Sequence, residues 1–115
     1  MNILFLDNEP SMREVAPLIF EDHHVMTLEN ANDIFARIKS FNPDIILLDI
    51  NLEQGGGTEL CIRLKADPRT THLPVLLMTA GYIREEDILC GADAIAEKPF
   101  EIIGLIETVE RLIAK

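Results

Sequence analysis

The sequence lacks the features that membrane and secreted proteins need. Although 48% of its 115 residues are hydrophobic, no apolar run approaches the roughly 18 residues of a membrane span. The amino terminus has no basic end, apolar middle and small-residue cleavage site of a secretory signal. We therefore expect no membrane association and a cytoplasmic location.

Cysteine and basic residues are also scarce. The two cysteines, Cys61 and Cys90, stand alone in helix-like segments, without the paired spacing of a zinc site or the density of a disulfide scaffold. We expect both to be ordinary buried thiols. Ten Lys and Arg residues against 20 Asp and Glu residues give a net charge of -10, which repels phosphate backbones. Direct binding to nucleic acid is therefore not expected.

Short apolar runs alternate with helical patterns along the whole chain, with no repeat, low-complexity tract or linker. The runs predict five strands, at 3–6, 24–28, 44–50, 74–80 and 92–97. The first, third and fourth runs are nearly all apolar, as expected of strands that are covered on both faces. This alternation predicts one α/β domain over residues 1–115, built on a parallel sheet.

Five helices are predicted between and after these strands. The first begins at Ser11, which has capping-box spacing to Glu14, and it contains Pro17, for which the sequence offers no explanation. The next three are predicted near 32–40, over 58–66 and over 83–90, with Gly91 as a carboxyl-terminal cap. The last has apolar residues at helical spacing, namely Ile102, Leu105, Ile106, Val109, Leu112 and Ile113.

Strict alternation of five strands and five helices predicts an open, doubly wound (βα)5 fold with the flavodoxin-like strand order 2-1-3-4-5. In such sheets ligands bind at the carboxyl ends of the strands, where the strand order reverses. Six polar residues follow strand ends in this sequence: Asp7, Asn8, Glu9, Asp49, Thr79 and Lys98. We expect them to converge on one crevice.

In this order and spacing, the polar residues resemble those of the receiver domain of two-component response regulators. The resemblance covers the whole chain, through the acids after strand one, "LLDI" around Asp49, "MTA" at Thr79 and "KPF" at 98–100. It implies that Asp49 accepts a phosphoryl group from a sensor histidine kinase or a phosphotransfer protein in a Mg²⁺-dependent reaction. It also implies a phosphoacceptor that assists its own phosphorylation and dephosphorylation, and not a conventional enzyme.

By resemblance, four residues hold the Mg²⁺ ion: Asp7, Asn8, Asp49 and, through its backbone carbonyl, Asn51. Oxygen ligands of these types suit Mg²⁺. Lys98 is expected to pair with phosphoryl oxygens, Thr79 to donate its hydroxyl to another of them, and the Lys98–Pro99 bond to be cis.

Two positions depart from the family pattern. Asn8 stands where a second acid usually follows strand one, so we expect weak metal binding. Ile95 stands where many members carry a Tyr or Phe. These departures keep open a phosphorylation-independent pseudo-receiver that acts as an interaction module. A Mg²⁺-dependent phosphohydrolase using Asp49 and Asn51 is a further alternative, but the sequence contains no substrate cap.

The resemblance also predicts interaction surfaces. Helix one is the expected docking surface for a kinase or phosphotransfer domain, with Arg13 and Glu14 as exposed specificity residues. The face of helix four, strand five and helix five is expected to bind an unidentified downstream protein or to pair two copies in a homodimer. Because the sequence ends on its fifth helix, we expect a single-domain regulator or an excised receiver.

Overall fold

A five-stranded parallel sheet forms the centre of the structure, a computed structural model that describes residues 1–52, 56–99 and 101–114. The strands are β1 (Asn2–Leu6), β2 (His24–Leu28), β3 (Ile45–Asp49), β4 (Val75–Thr79) and β5 (Ala94–Glu97). Their order is β2-β1-β3-β4-β5, which confirms the predicted doubly wound fold. The ends of each strand lie within two residues of the predicted ends.

Five helices connect or follow the strands. They are α1 (Pro10–Ile19), α2 (Ile34–Phe41), α3 (Gly56–Ala66), α4 (Glu85–Leu89) and α5 (Ile102–Ile113). The longest of these, α5, has 12 residues, and no helix in the described ranges has the length and apolar character to cross a bilayer.

The central strands are buried because helices cover both faces of the sheet. Successive side chains of a strand point to opposite faces, so Ile3 and Phe5 of β1 pack towards α1 and α5, whereas Leu4 and Leu6 pack towards α2 and α3. All residues of β3 and β4 are buried. The nearly continuous apolar runs in the sequence reflect this two-sided covering.

Helix α1 begins differently from the prediction. Its N-cap is Glu9 and its first residue is Pro10, while Ser11 lies inside the helix and caps nothing. The predicted capping box of Ser11 and Glu14 is therefore wrong. The physical reason is that proline suits the first helical position, where its fixed φ is helical and its missing N–H would be unpaired in any case.

The other helix ends are close to the prediction. Asn42, with φ 54°, ends α2 in the left-handed conformation directly before Pro43. Helix α4 is five residues long, shorter than the predicted 83–90, and Gly91 follows it with φ 94°. In α5 the predicted apolar stripe buries Leu105, Val109 and Leu112, whereas Ile102 is 51% exposed.

The structure shows that Pro17 lies on the exposed side of α1, in the helix interior. An interior proline costs about 3 kcal/mol because it cannot donate to the carbonyl four residues earlier, here that of Arg13. Replacing it with Ala also makes the unfolded chain more flexible, which offsets about 0.4–1 kcal/mol. We expect Pro17→Ala to raise the free energy of unfolding by about 1 kcal/mol or more, measured by urea denaturation with circular dichroism.

Glu14→Ala is the matched control, because Glu14 is exposed on the same helix and its replacement should change the stability by less than about 0.5 kcal/mol. A Pro17→Ala protein that is no more stable than the native one would show that the proline carries no cost in α1.

Candidate functional site

The predicted site residues lie along one edge of the sheet. Asp7 directly follows β1, Asp49 ends β3, Thr79 ends β4 and Lys98 directly follows β5. Because all five strands are parallel, their carboxyl ends meet at this edge. The pairing of Asp49 with Met78 and of Thr79 with Glu97 places the last residues of β3, β4 and β5 side by side.

The centre of the site is the ammonium group of Lys98. Its Nζ lies 2.8 Å from Oδ2 of Asp7, 3.7 Å from Oδ2 of Asp49 and 3.5 Å from Oε1 of Glu9. The Asp7 and Asp49 side chains are almost fully buried, while that of Glu9 is 54% exposed. Burying charges is costly unless they are paired, so the two aspartates depend on Lys98.

Backbone groups satisfy the other oxygen of each buried carboxylate. Oδ1 of Asp7 accepts a hydrogen bond from the N–H of Glu9 at 2.9 Å, and Oδ1 of Asp49 accepts one from the N–H of Asn51 at 3.1 Å. The guanidinium of Arg13 donates to the Asp7 carbonyl at 2.9 Å. Each aspartate therefore directs one oxygen to the backbone and the other towards Lys98.

The surroundings shift the pKa values of the central pair. Burial raises the pKa of Asp49, and the neighbouring Asp7 carboxylate raises it further, against the opposing effects of the Asn51 N–H and Lys98. Burial lowers the pKa of Lys98, but its hydrogen bond to Asp7 and the charges of Asp49, Asp7 and Glu9 outweigh this, and the net shift is upward. Lys98 therefore remains a cation, and the ionised form of Asp49 is held at an energetic cost.

The acidic residues fit a hard divalent cation. Carboxylate oxygens of Asp7, Glu9 and Asp49 all lie within 4.8 Å of one another, and Mg²⁺ prefers such oxygen ligands together with water. Glu9 was not in the predicted ligand set. Two other members of that set are exposed: Asn8 directly follows Asp7, and Asn51 lies two residues after Asp49.

Thr79 and Lys98 are joined through the backbone. The Thr79 side chain is buried, its hydroxyl accepts a hydrogen bond from the N–H of Gly81 at 3.1 Å, and its carbonyl accepts one from the N–H of Lys98 at 2.7 Å. The Lys98–Pro99 bond is cis, as the resemblance implied. The next residue of the "KPF" string, Phe100, lies outside the described residues.

Two residues of the site were missed or misjudged from the sequence. Glu9 was expected in the crevice but was given no role there; it is the N-cap residue of α1, and its carboxylate lies beside Lys98. Arg13 was expected to be exposed, and this is wrong, because its side chain is only 22% exposed and donates to the Asp7 carbonyl; its part in docking stays a prediction. No periodic pattern signals this contact, which depends on where α1 begins. Glu14 is exposed, as expected, and Ile95 packs partly buried against the core.

Comparisons with known proteins agree with this geometry. Residues 3–110 match the family model described as the response regulator receiver domain. The phosphate regulon transcriptional regulatory protein PhoB of Pseudomonas aeruginosa is 34% identical over 119 residues, covering 95% of this chain and 51% of that protein. Histidine kinase P4 of Formosa agariphila is 29% identical over 99 residues, covering 84% of this chain and 7% of that protein.

Among solved structures, the signal receiver domain of a signal transduction histidine kinase from Syntrophus aciditrophicus has a TM-score of 0.88 at 26% identity. The superposition covers 98% of this chain and 89% of that one. The chain spans about half the length of PhoB and a small part of the kinase.

The raised pKa of Asp49 predicts a pH-dependent gain in stability on Asp49→Asn. Because the folded-state pKa lies above the reference value of 3.8, ionisation of Asp49 destabilises the fold above the folded-state pKa, and the cost disappears as the pH falls below 3.8. We expect Asp49→Asn to be more stable by roughly 1 kcal/mol near neutral pH. The difference should shrink as the pH falls through the folded-state pKa, as measured by urea denaturation across the pH series.

Asp22→Asn is the control, because Asp22 is exposed in the turn before β2 and its replacement removes the same charge far from Lys98. An Asp49→Asn protein that is less stable than the native one near neutral pH would show that ionised Asp49 does not destabilise the fold.

Proposed function

The chain belongs to the response regulator receiver family, and from this premise we propose that it is a phosphoaccepting switch in which Asp49 is phosphorylated by a phosphohistidine. The observation that supports this most directly is the placing of Asp49 at the end of β3, with one oxygen 3.7 Å from the ammonium of Lys98. Its donor would be a histidine kinase or a phosphotransfer protein.

Each residue has a chemical part in this proposal. An oxygen of Asp49 attacks phosphorus, and the bond from phosphorus to the histidine nitrogen breaks. The cation of Lys98 then offsets the charge of the phosphoryl oxygens. The hydroxyl of Thr79, which accepts a hydrogen bond from Gly81, can also donate its own proton. We assign that proton to a phosphoryl oxygen. The resulting hydrogen bond couples phosphorylation to movement of the loop that follows β4.

The metal ligands in this proposal are the carboxylates of Asp7 and Asp49, the side-chain amide of Asn8 and the backbone carbonyl of Asn51. When bound, Mg²⁺ supplies positive charge between the two anions that must meet. Glu9 is a further carboxylate at the same edge. Because the Asn8 amide carries no charge, we propose weaker Mg²⁺ binding than an aspartate there would give.

A groove beside the site suits the docking of a kinase or phosphotransfer domain. It has a volume of about 550 Å³ and runs from Glu9 and Lys98 along apolar side chains of α1 and α5, namely Met12, Val15, Ile19 and Ile102. A phosphohistidine on a docked helix could then approach Asp49 from this side. We propose that the switch acts on a downstream protein, or on a second copy of the chain, bound at the face of α4, β5 and α5. We also propose that the protein is cytoplasmic and does not itself bind nucleic acid.

Phosphorylation by a small donor tests the central assignment. Incubation with acetyl phosphate and millimolar Mg²⁺ should add one phosphoryl group, seen by intact-protein mass spectrometry. Asp49→Asn should abolish the addition, because the amide cannot form the acyl phosphate. Asp22→Asn should leave it unchanged.

Failure of the native protein to gain a phosphoryl group in this experiment would favour the alternative function, a pseudo-receiver that binds partners without phosphorylation. The uncharged Asn8 is the observation behind that alternative. Multiple turnover of small phosphoesters would instead indicate a phosphohydrolase.

The Mg²⁺ affinity tests the part assigned to Asn8. One added charge at about 4 Å is worth roughly 4 kcal/mol at an effective dielectric constant of 20, and desolvation offsets much of it. We therefore expect Asn8→Asp to bind Mg²⁺ about tenfold more tightly, as measured by isothermal titration calorimetry.

Asn42→Asp provides the control, since it makes the same change at the opposite edge of the sheet, before β3. Its Mg²⁺ affinity should equal that of the native protein. Equal affinities of Asn8→Asp and native protein would remove Asn8 from the ligand set.

A further inference from the structure

Helix α4 is attached to the domain through a carboxylate. Of its five residues, all of which the structure describes, only Asp87 is buried, whereas Ile88 and Leu89 are 63% and 72% exposed. A helix of this length has little stability of its own, and its apolar side chains add little burial here. Within the helix, the contacts of Asp87 are therefore the main attachment, and the buried Cys90 provides an anchor directly after the helix.

The partner of Asp87 is Thr58 in α3. The Thr58 hydroxyl donates to Oδ1 of Asp87 at 2.6 Å, between two buried residues that are 29 positions apart. Oδ2 of Asp87 accepts the backbone N–H of Arg84 at 2.9 Å. Burial raises the pKa of Asp87, but these hydrogen bonds and the charge of Arg84 lower it more, so the net pKa lies below the usual value. Asp87 is thus an anion held by donors on both of its oxygens.

Thr58 is tied in turn to the backbone of the phosphoacceptor. It follows Gly57, whose N–H donates to the carbonyl of Ile50 at 3.0 Å. A Cβ on Gly57 would lie 2.3 Å from the carbonyl oxygen of Asp49, which no real side chain tolerates. The first turn of α3 therefore lies directly against Asp49 and Ile50, and a displacement of that backbone must move Thr58.

We propose that the Thr58–Asp87 hydrogen bond is the link through which the state of Asp49 positions α4. The inference rests on the proposed function, because it concerns how phosphorylation of that site is transmitted. A phosphoryl group on Asp49 shifts the adjoining backbone, Gly57 passes the shift to Thr58, and the buried hydrogen bond carries α4 with it. The link reaches the surface on which Ile88 and Leu89 are exposed.

The link has a thermodynamic consequence at the phosphorylation site. If moving α4 costs free energy, the phosphorylated state bears that cost as long as Thr58 holds Asp87. Breaking the hydrogen bond frees the site from this cost. A phosphoryl analogue should then bind more tightly, and its effect on α4 should become smaller. If the Thr58–Asp87 hydrogen bond only stabilised the fold, its loss would cause neither change.

Beryllofluoride, a phosphoryl analogue, is the probe. ¹⁵N–¹H spectra of the native protein, Thr58→Val and Thr58→Ser are recorded with and without beryllofluoride and Mg²⁺. Valine keeps the shape of threonine but lacks the hydroxyl, whereas serine keeps the hydroxyl. The amides of Asn51 and Gly81 report on the site, and those of Glu86, Ile88 and Leu89 report on α4.

We expect the site amides to respond in all three proteins. The response of the α4 amides should fall by about threefold or more in Thr58→Val and be retained in Thr58→Ser. Beryllofluoride should bind Thr58→Val about threefold more tightly than the native protein, since the same coupling acts in both directions.

Other outcomes separate the two proposals. An unchanged α4 response and unchanged affinity in Thr58→Val would overturn the link and leave the phosphoacceptor role intact. A native protein whose site amides ignore beryllofluoride would overturn the proposed function and the link together.

A second variant tests the proposal if the Thr58→Val protein does not fold. Asp87→Ala removes the acceptor of the Thr58 hydroxyl altogether, so it should show the same weakened α4 response. Cys90, which is buried and whose thiol donates to the Asp87 carbonyl at 3.1 Å, still holds the end of α4 in this variant. A full α4 response in folded Asp87→Ala would overturn the link.

Discussion

The rest of the site depends on one constraint: two buried aspartates lie at the same edge of the sheet, and a single lysine lies between them. Parallel strands bring Asp7 and Asp49 together, and their mutual repulsion would favour separation. Lys98 counters it at 2.8 Å and 3.7 Å. The backbone N–H groups after each strand occupy the remaining oxygens. The turns that follow β1 and β3 are therefore part of the charge balance and not only connections.

Much of this arrangement could be predicted from the sequence because it follows from strand ends. A nearly all-apolar run indicates a strand covered on both faces, and the polar residue that ends it must lie at the sheet edge. That reasoning located Asp7, Asp49, Thr79 and Lys98. Which of them touch could not be deduced, because distances depend on register and on side-chain direction.

The features that escaped prediction are those set by tertiary contact. Ser11 has capping spacing, yet Pro10 takes the first helical position and moves the start of α1. That shift gives Glu9 and Arg13 their places in the site. Thr58 is similar, since a threonine within a helical pattern carries no sign of a carboxylate 29 residues later. Local propensity cannot report a partner that only the fold supplies.

Asn8 can be understood from the same charge balance. Three carboxylates, from Asp7, Glu9 and Asp49, face one ammonium, which leaves two negative charges to be offset. A divalent cation supplies two positive charges. An aspartate at position 8 would add a third unbalanced charge and destabilise the metal-free domain in return for tighter metal binding. The amide keeps an oxygen at that position without the added repulsion, and in the proposed Mg²⁺ complex it would leave the metal-free and metal-bound states closer in free energy.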